Sequence, residues 1–576
     1  MMLGRSPSPR RGLPVSDISR RSVLKGASGS LAALAFAGVA TDRQVAYAAS
    51  RSVFTKGTTL ANVATPKASS GYARLTAGPG WALVVRDELV AAKPNRDDTR
   101  KALASIVQFT DLHMIDAQSP VRFEWLSTVN GSAFRPQEPL GSHGGAQLVK
   151  RINDLAKGPF SGRVFDCVVS TGDNTDNHES VELDWFLAVM NGGTIRQNTG
   201  AATEWEGVAT GGDEQFYNVS DDAVRDRYKE AGFPTVPGFF ARAVAPHRSH
   251  GLKTPWFSVF GNHDDSMSGV LPSDWAAVAK LYTSDKKFMG FKASTSNTQL
   301  RRAYTGASRT LPQTSSMTTR SVTPDARRAP FTPVEYMKAH LPSGGHGFTE
   351  ENVATGRGYY AFRIADGVTG IAMDSTNRAG WTEGSLGDEQ FRWLQRRLEA
   401  GSSRFFDVWG AEQKRQVDDE LFVLFSHHTS ESMNNLLLDP GKPEIRHGGL
   451  EVVNTLKRFP NVIAWVNGHT HVNSITARRH RDPERSFWEI NTASHVDFPQ
   501  LARIIEVFDN ADGTLSLFTT LVESAAPYQA SYSDGSQAAL ASLYRELSYN
   551  DINAEREGLG TPADRNTELL LPNPLH

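Results

Sequence analysis

Short apolar runs alternate with longer stretches of helical period from Ser105 onward. SIVQFT (105–110) precedes GAQLVKRINDLAK (145–157), and FDCVVST (165–171) precedes ESVELDWFLAVM (179–190). WFSVF (256–260), LFVLFS (421–426) and NVIAWVN (461–467) are further continuous apolar runs. Such runs read as strands buried on both faces, and their alternation with amphipathic segments predicts βαβ units around a largely parallel core. GYYAFRIADGVTGIAMDST (358–376) predicts a hairpin about Asp366-Gly367, followed by an amphipathic helix in LGDEQFRWLQRRLEA (386–400). Upstream, YARLTAG and WALVVRDELV flank Gly78-Pro79-Gly80 and predict a hairpin within a β-rich extension over 49–100. Four runs between 472 and 523 predict a β-meander, with a turn at Asp512-Gly513. The region 526–576 predicts one helix (536–551) and a frayed polar tail. Two polar stretches, 191–250 and 285–345, interrupt the core over 101–525. Loops this long are uncommon without a task, so they are expected to cover the active site as insertions.

The 576 residues carry a net charge of -2 with 39% hydrophobic and 22% charged residues. That is ordinary for a globular chain and supplies no basic field for nucleic acid. Arg301, Arg302, Arg327 and Arg328 lie in polar sequence and read as solvated loop charges. The N-terminus changes the picture. Arg20-Arg21 precede a small-residue apolar stretch from Gly26 to Ala40, and Ala46-Tyr47-Ala48 follows as a cleavage site. This order predicts a signal peptide over 1–48 resembling the twin-arginine type, with that export machinery as partner and an extracellular or cell-envelope destination. The single cysteine, Cys167, excludes an intramolecular disulfide and is expected to be buried and inert. No later run reaches the roughly 20 apolar residues of a membrane span, so no stable membrane anchor is expected.

Five motifs follow the apolar runs: Asp111-Leu112-His113, Gly172-Asp173-Asn174, Gly261-Asn262-His263-Asp264, His427-His428 and Gly468-His469-Thr470-His471. Side chains leaving the ends of parallel strands converge on one crevice. Imidazole, carboxylate and amide oxygen without thiolate make a nitrogen/oxygen set suited to Fe, Mn or Zn. Asp111 and His113, two apart, reach the same cleft. Asp173 can offer an oxygen to each of two ions, and Asn262 offers an amide oxygen. His263, next in sequence, is directed toward substrate. His427 and His428 compete for one ligand position, with His427 preferred as the first residue after its strand. Asp176 and Asp264 are candidates to orient ligands, with turn or cap carboxylates as the plain alternative.

In this order the motifs resemble the calcineurin-like metallophosphoesterase superfamily, and GIAMDSTNRAGWTEGSLGDEQFRWLQRRL (370–398) resembles its strand, loop and helix. With the signal, the chain resembles an exported member of actinobacterial type. The resemblance covers roughly 104–522 apart from the insertions. It implies an α/β four-layer αββα sandwich of two mixed sheets flanked by helices. It implies one metal ion on Asp111, His113, Asp173 and His471, and a second on Asp173, Asn262, His427 and His469. It implies hydrolysis of phosphomonoesters or phosphodiesters by hydroxide formed on the metals, with His263 stabilising charge and protonating the leaving oxygen. The alternative is a metal-containing binding protein on the same fold. A zinc protease is disfavoured because no H-E-x-x-H occurs.

Overall fold

The computed structural model describes residues 54–68, 71–128, 130–272, 276–292, 317–554 and 556–575. The residues expected to form a signal peptide, including Arg20, Arg21 and Ala46 to Ala48, lie outside the described residues, as do Arg301 and Arg302. Among the described residues no helix is long and apolar enough to cross a membrane.

The strands of the two large sheets are, in chain order, β1 Val84–Arg86, β2 Lys101–Phe109, β3 Cys167–Ser170, β4 Trp256–Ser258, β5 Tyr360–Ala365, β6 Val368–Ala372, β7 Leu421–Phe425, β8 Val462–Asn467, β9 Ser474–Arg478, β10 Phe487–Asn491, β11 Leu501–Asp509, β12 Thr514–Glu523 and β13 Thr567–Pro572. One sheet has the order β1-β13-β12-β11-β2-β3-β4, and the other β5-β6-β7-β8-β10-β9. Each joins a parallel set, β2-β3-β4 or β6-β7-β8-β10, to antiparallel neighbours.

Period-two alternation builds the layers. On β7, Leu421, Val423 and Phe425 enter the central core, while Phe422 and Leu424 meet the helices α3 Asp388–Ala400 and α4 Gly449–Leu456. The outer face of the first sheet is covered by α1 Gly141–Leu155 and α2 Ser180–Asn191, through residues such as Leu148, Ile152, Phe186 and Val189. Each fully buried side chain of this kind contributes about 1.5–3 kcal/mol. The result is an αββα sandwich whose strand ends bring the motif loops together. Cys167 is buried on β3, and β5 and β6 pair antiparallel across the expected Asp366-Gly367 hairpin.

Four expectations need correction. The N-terminal hairpin pairs Asn62–Pro66 with Leu75–Pro79, and Val84–Arg86 instead joins the large sheet parallel to β13. Trp81 N–H donates to Thr59 O, so the chain after Gly80 leads away instead of folding back. The meander is two hairpins in different sheets, β9/β10 and β11/β12, because the chain changes layer between Asn491 and Leu501. The tail is not frayed: Thr567 to Leu571 are buried in β13 between β1 and β12. Arg328 is no solvated loop charge; its buried guanidinium donates to Asp116, Thr199 Oγ1 and Thr323 O.

The stretch 191–250 has an aromatic cluster of its own. Phe216, Tyr217, Tyr228, Phe233 and Phe239 pack against Leu540, Leu543 and Tyr544 of the helix α5 Gln537–Asn550. In the second stretch Lys286–Phe291 pairs with Met317–Ser321. No described residue of either stretch lines the cleft described below.

Candidate metal centre

The first two motifs are laid side by side beyond the ends of β2 and β3. Asp111 N–H donates to Gly172 O, His113 N–H to Asp173 O and Met114 N–H to Asn174 O, all at 2.9–3.0 Å. The loops turn through left-handed backbone, with φ of 54° at Asp111, 44° at His113, 52° at Asp173, 71° at His469 and 60° at His471. Non-glycine residues enter this region only where surrounding structure holds them there, at about 1–3 kcal/mol each. Gly172, at φ 91°, meets Gly261: a Cβ on Gly172 would sit 2.6 Å from Gly261 N, so a side chain there would push the two loops apart.

The buried Asp264 carboxylate fastens these loops. It accepts from Asn174 N–H, Thr175 N–H and Gly261 N–H at 2.9–3.1 Å. Burial and the neighbouring Asp173 push its carboxyl up to about 6. It thereby orients the backbone that carries Asp173 and Asn262, and touches no histidine of the cluster.

The strand ends of both sheets bring seven predicted side chains into one cluster. Asp173 Oδ2 lies 3.2 Å from His427 Nε2 and 3.6 Å from His113 Nε2. Asp111 Oδ1 lies 3.1 Å from His471 Nε2 and 3.8 Å from His113 Nε2. Asn262 Nδ2 donates to Gly269 O, which turns Oδ1 toward His469 Nδ1 at 3.1 Å. His469 Nδ1 lies 3.2 Å from His427 Nε2. Buried lone pairs thus face one another. His113 Nε2 is fully buried without a hydrogen-bond partner, and such an orphan calls for a missing partner. Two triads, Asp111/His113/His471 and Asp111/Asp173/His427, have donor atoms within 4.8 Å of one another. This donor set fits two cations of borderline hardness.

His428 falls in a third triad with His427 and His469, but its ring is already committed. Its Nε2 donates to Thr382 O at 2.9 Å, and its Nδ1 faces Ser375 Oγ at 2.8 Å. His427 spends only Nδ1, on Thr171 O at 2.8 Å, and keeps Nε2 for the cluster.

The electrostatics suit a site for positive charge. Burial opposes charge on His113, but Asp111 and Asp176 raise it to about 10. Burial likewise opposes charge on His427, and Asp173 and Asp111 raise it to about 9. Burial works against Asp111 too, yet His471 and His427 hold its carboxyl well below the usual range. Metal binding at such a cluster releases protons.

His263 borders the cluster, its ring 4.6 Å from that of His113 and its donor atoms grouped with those of His113 and Asp176, and it lines the cleft. Its N–H donates to Asp173 Oδ1 and its Nδ1 to the Asp176 carbonyl, both at 2.8 Å, so Nε2 is left for whatever enters. Burial lowers its pKa, against the pull of Asp173.

Behind the cluster lie carboxylates that hold its rings; the sequence offered Asp176 as one of them and missed Asp497, Arg122 and Arg135. Asp176 holds His113 Nδ1 at 2.8 Å and pairs with Arg122, which also grips Glu138. Asp497 holds His471 Nδ1 at 2.8 Å and is clamped bidentately by Arg135 at 2.7 and 3.0 Å. Asp497 follows β10, so the strand-end rule that found the motifs would have found it. Arg122 and Arg135 lie in irregular sequence with no such signal. The cleft in front of these groups has a volume of about 440 Å³.

No family model matches the sequence, and no curated protein matches it. Solved structures that match include a dimetal phosphatase from Danio rerio, 10% identical over 74% of this chain and 100% of that chain, with a TM-score of 0.34. Purple acid phosphatase PPD1 from yellow lupin (Lupinus luteus) seeds is 10% identical over 76% of this chain and 52% of that one, with a TM-score of 0.28. GAP50, the anchor in the inner membrane complex of Plasmodium, is 10% identical over 77% and 95%, with a TM-score of 0.24. TM-scores of this size carry no argument, so the reading below rests on the chain's own motifs and geometry.

Proposed function

We propose that this chain is a two-metal phosphoester hydrolase of the calcineurin-like superfamily. One observation carries the reading: seven donors from five separate motifs converge at the strand ends of two sheets, around an orphaned imidazole nitrogen. Asp111, His113, Asp173 and His471 would hold one ion, and Asp173, Asn262, His427 and His469 the other. Asp173 would serve both, because its Oδ2 faces His427 and His113 while its Oδ1 accepts from His263 N–H. A bound pair would supply an activated water and offset charge on the phosphoryl oxygens.

The protein's own groups do the rest. With ions bound, Asp176 and Asp497 would hold the Nδ1 protons of His113 and His471 and leave each Nε2 to the cluster. His263 presents Nε2 to the cleft while the Asp176 carbonyl fixes its Nδ1 proton. A phosphate dianion at that nitrogen supplies the negative charge that favours protonation, and His263 then donates to the leaving oxygen. Such a group also argues against the binding-protein alternative, which has no use for a poised imidazole. We further propose export through the twin-arginine machinery, on the Arg20-Arg21 sequence and the disulfide-free chain.

Metal analysis followed by assay on 4-nitrophenyl phosphate and bis(4-nitrophenyl) phosphate tests the central reading. Two ions per chain and chelator-sensitive hydrolysis are expected. Protein that carries two ions and hydrolyses neither a monoester nor a diester would sink the enzymatic reading in favour of the binding protein.

A further inference from the structure

Beyond the reacting centre, the cleft has a charge imbalance. Among the described side chains, Arg122 and Arg135 are the cations that line it, aside from histidine. Both are spent. Arg122 pairs with Glu138 and Asp176, and Arg135 donates two bonds to Asp497 and one to Ser132 O. Asp551 and Glu557 line the same cleft, and no described side chain makes an ion pair with either; Arg135, already clamped on Asp497, acts on Asp551 only from a distance.

Asp551 is the unusual one. It is 7% exposed, and Oδ1 accepts its one hydrogen bond, from Asn553 N–H at 3.0 Å. Burial pushes its carboxyl up to about 7. The adjacent Asn553 offers it no relief, because that amide is committed to Tyr228 OH and Arg227. A nearly buried carboxylate without an ion pair is unfavourable, and a cation brought by a ligand would reduce the cost. Phe123, Leu126 and Phe498 add apolar and aromatic surface to the lining. Alkylammonium groups favour such surface, whereas a second phosphate would find no free cation.

We propose that Asp551 is the specificity-determining residue of the cleft, and that the favoured substrates are phosphoesters of amino alcohols, with the ammonium seated at the Asp551 carboxylate. The proposal rests on the phosphoesterase reading for its chemistry and on the Asp551 wall for its selectivity. Esters with a further anionic group are the disfavoured class.

The test compares O-phosphoethanolamine with its neutral isostere propyl phosphate and with phosphoglycolate, on metal-loaded protein. Both KM and equilibrium binding by calorimetry are measured. O-phosphoethanolamine is expected to bind about tenfold tighter than propyl phosphate, the ratio that ~1.4 kcal/mol supplies, with phosphoglycolate weakest. Asp551→Asn keeps the shape and is expected to bring the first ratio to near one through KM, and Glu557→Gln to reduce it part of the way. Hydrolysis without this preference, or a preference that survives in Asp551→Asn, overturns the proposal. Binding preference that vanishes in Asp551→Asn, in a protein that hydrolyses none of the esters, upholds the ammonium site and removes the phosphoesterase reading instead. Should Asp551→Asn fail to fold, a reduced ratio in Glu557→Gln supports the proposal and an unchanged ratio overturns it.

Discussion

Asp497→Asn should weaken one metal ion and spare the other. The carboxylate accepts the His471 Nδ1 proton at 2.8 Å and is clamped by Arg135, so it fixes the ring whose Nε2 lies 3.1 Å from Asp111 Oδ1. Asparagine keeps an acceptor in place but removes the charge. A hydrogen bond to a charged group contributes about 1.5–3 kcal/mol, which corresponds to roughly 10–150-fold in affinity. The Asp497 side chain is 24% exposed to the cleft, so solvent screens the interaction and the loss is expected at about 10–30-fold. Only the ion assigned to Asp111, His113 and His471 depends on this contact. The other ion's His427 is oriented by the Thr171 carbonyl, which no side-chain substitution removes. Stepwise titration of metal-free protein against a chromophoric chelator resolves the two dissociation constants. One should weaken while the other holds. Asp176→Asn should act on that same ion through His113, and Asp173→Ala should empty both positions. Equal weakening of the two ions by Asp497→Asn, or none at all, would refute the assignment of His471 to a single ion.

Three further outcomes are expected. His263→Ala should keep its metals and lose about 10²–10⁴ in turnover, with a smaller loss on 4-nitrophenyl esters than on alkyl esters; metal loss in that variant would place His263 among the ligands. Arg503→Met should destabilise the fold by about 3–5 kcal/mol, because the buried guanidinium on β11 donates to Thr492 Oγ1 and Asn473 Oδ1 across the layers and to the carbonyls of Asp564 and Arg565. Denaturant unfolding measures this, and a midpoint unchanged from the parent would deny the cross-layer role. Arg20→Lys with Arg21→Lys should retain folded, active protein in the cytoplasm, as fractionation would show; normal export would mean that another pathway reads the signal.

The core and the motif loops were legible because their signals are local. A strand buried on both faces must be apolar throughout, and each of the five motifs sits directly after such a run. Layer and partner were not legible. β9/β10 and β11/β12 alternate alike, and nothing within them says that the chain changes sheet between Asn491 and Leu501. The cluster around Phe216, Tyr228 and Phe233 was hidden because its aromatics follow no period, being held by α5 some 300 residues further on. Arg122 and Arg135 matter only through carboxylates that the fold brings to them. Asp551 was invisible for the opposite reason: its significance lies in the ion pair it lacks.

The place of β13 sets an order of events during biosynthesis. Its residues Thr567 to Leu569 pair with Val84 to Arg86, and Thr514 to Thr519 bond its other edge. Until 567–572 have left the ribosome, both neighbouring edges stay open, and unpaired edges invite association with other chains. The sheet that carries Asp111, Asp173 and Asn262 is therefore finished only after translation has passed that point. A chaperone that shields these two edges, at Val84–Arg86 and at β12, in the interval would raise the yield of this protein.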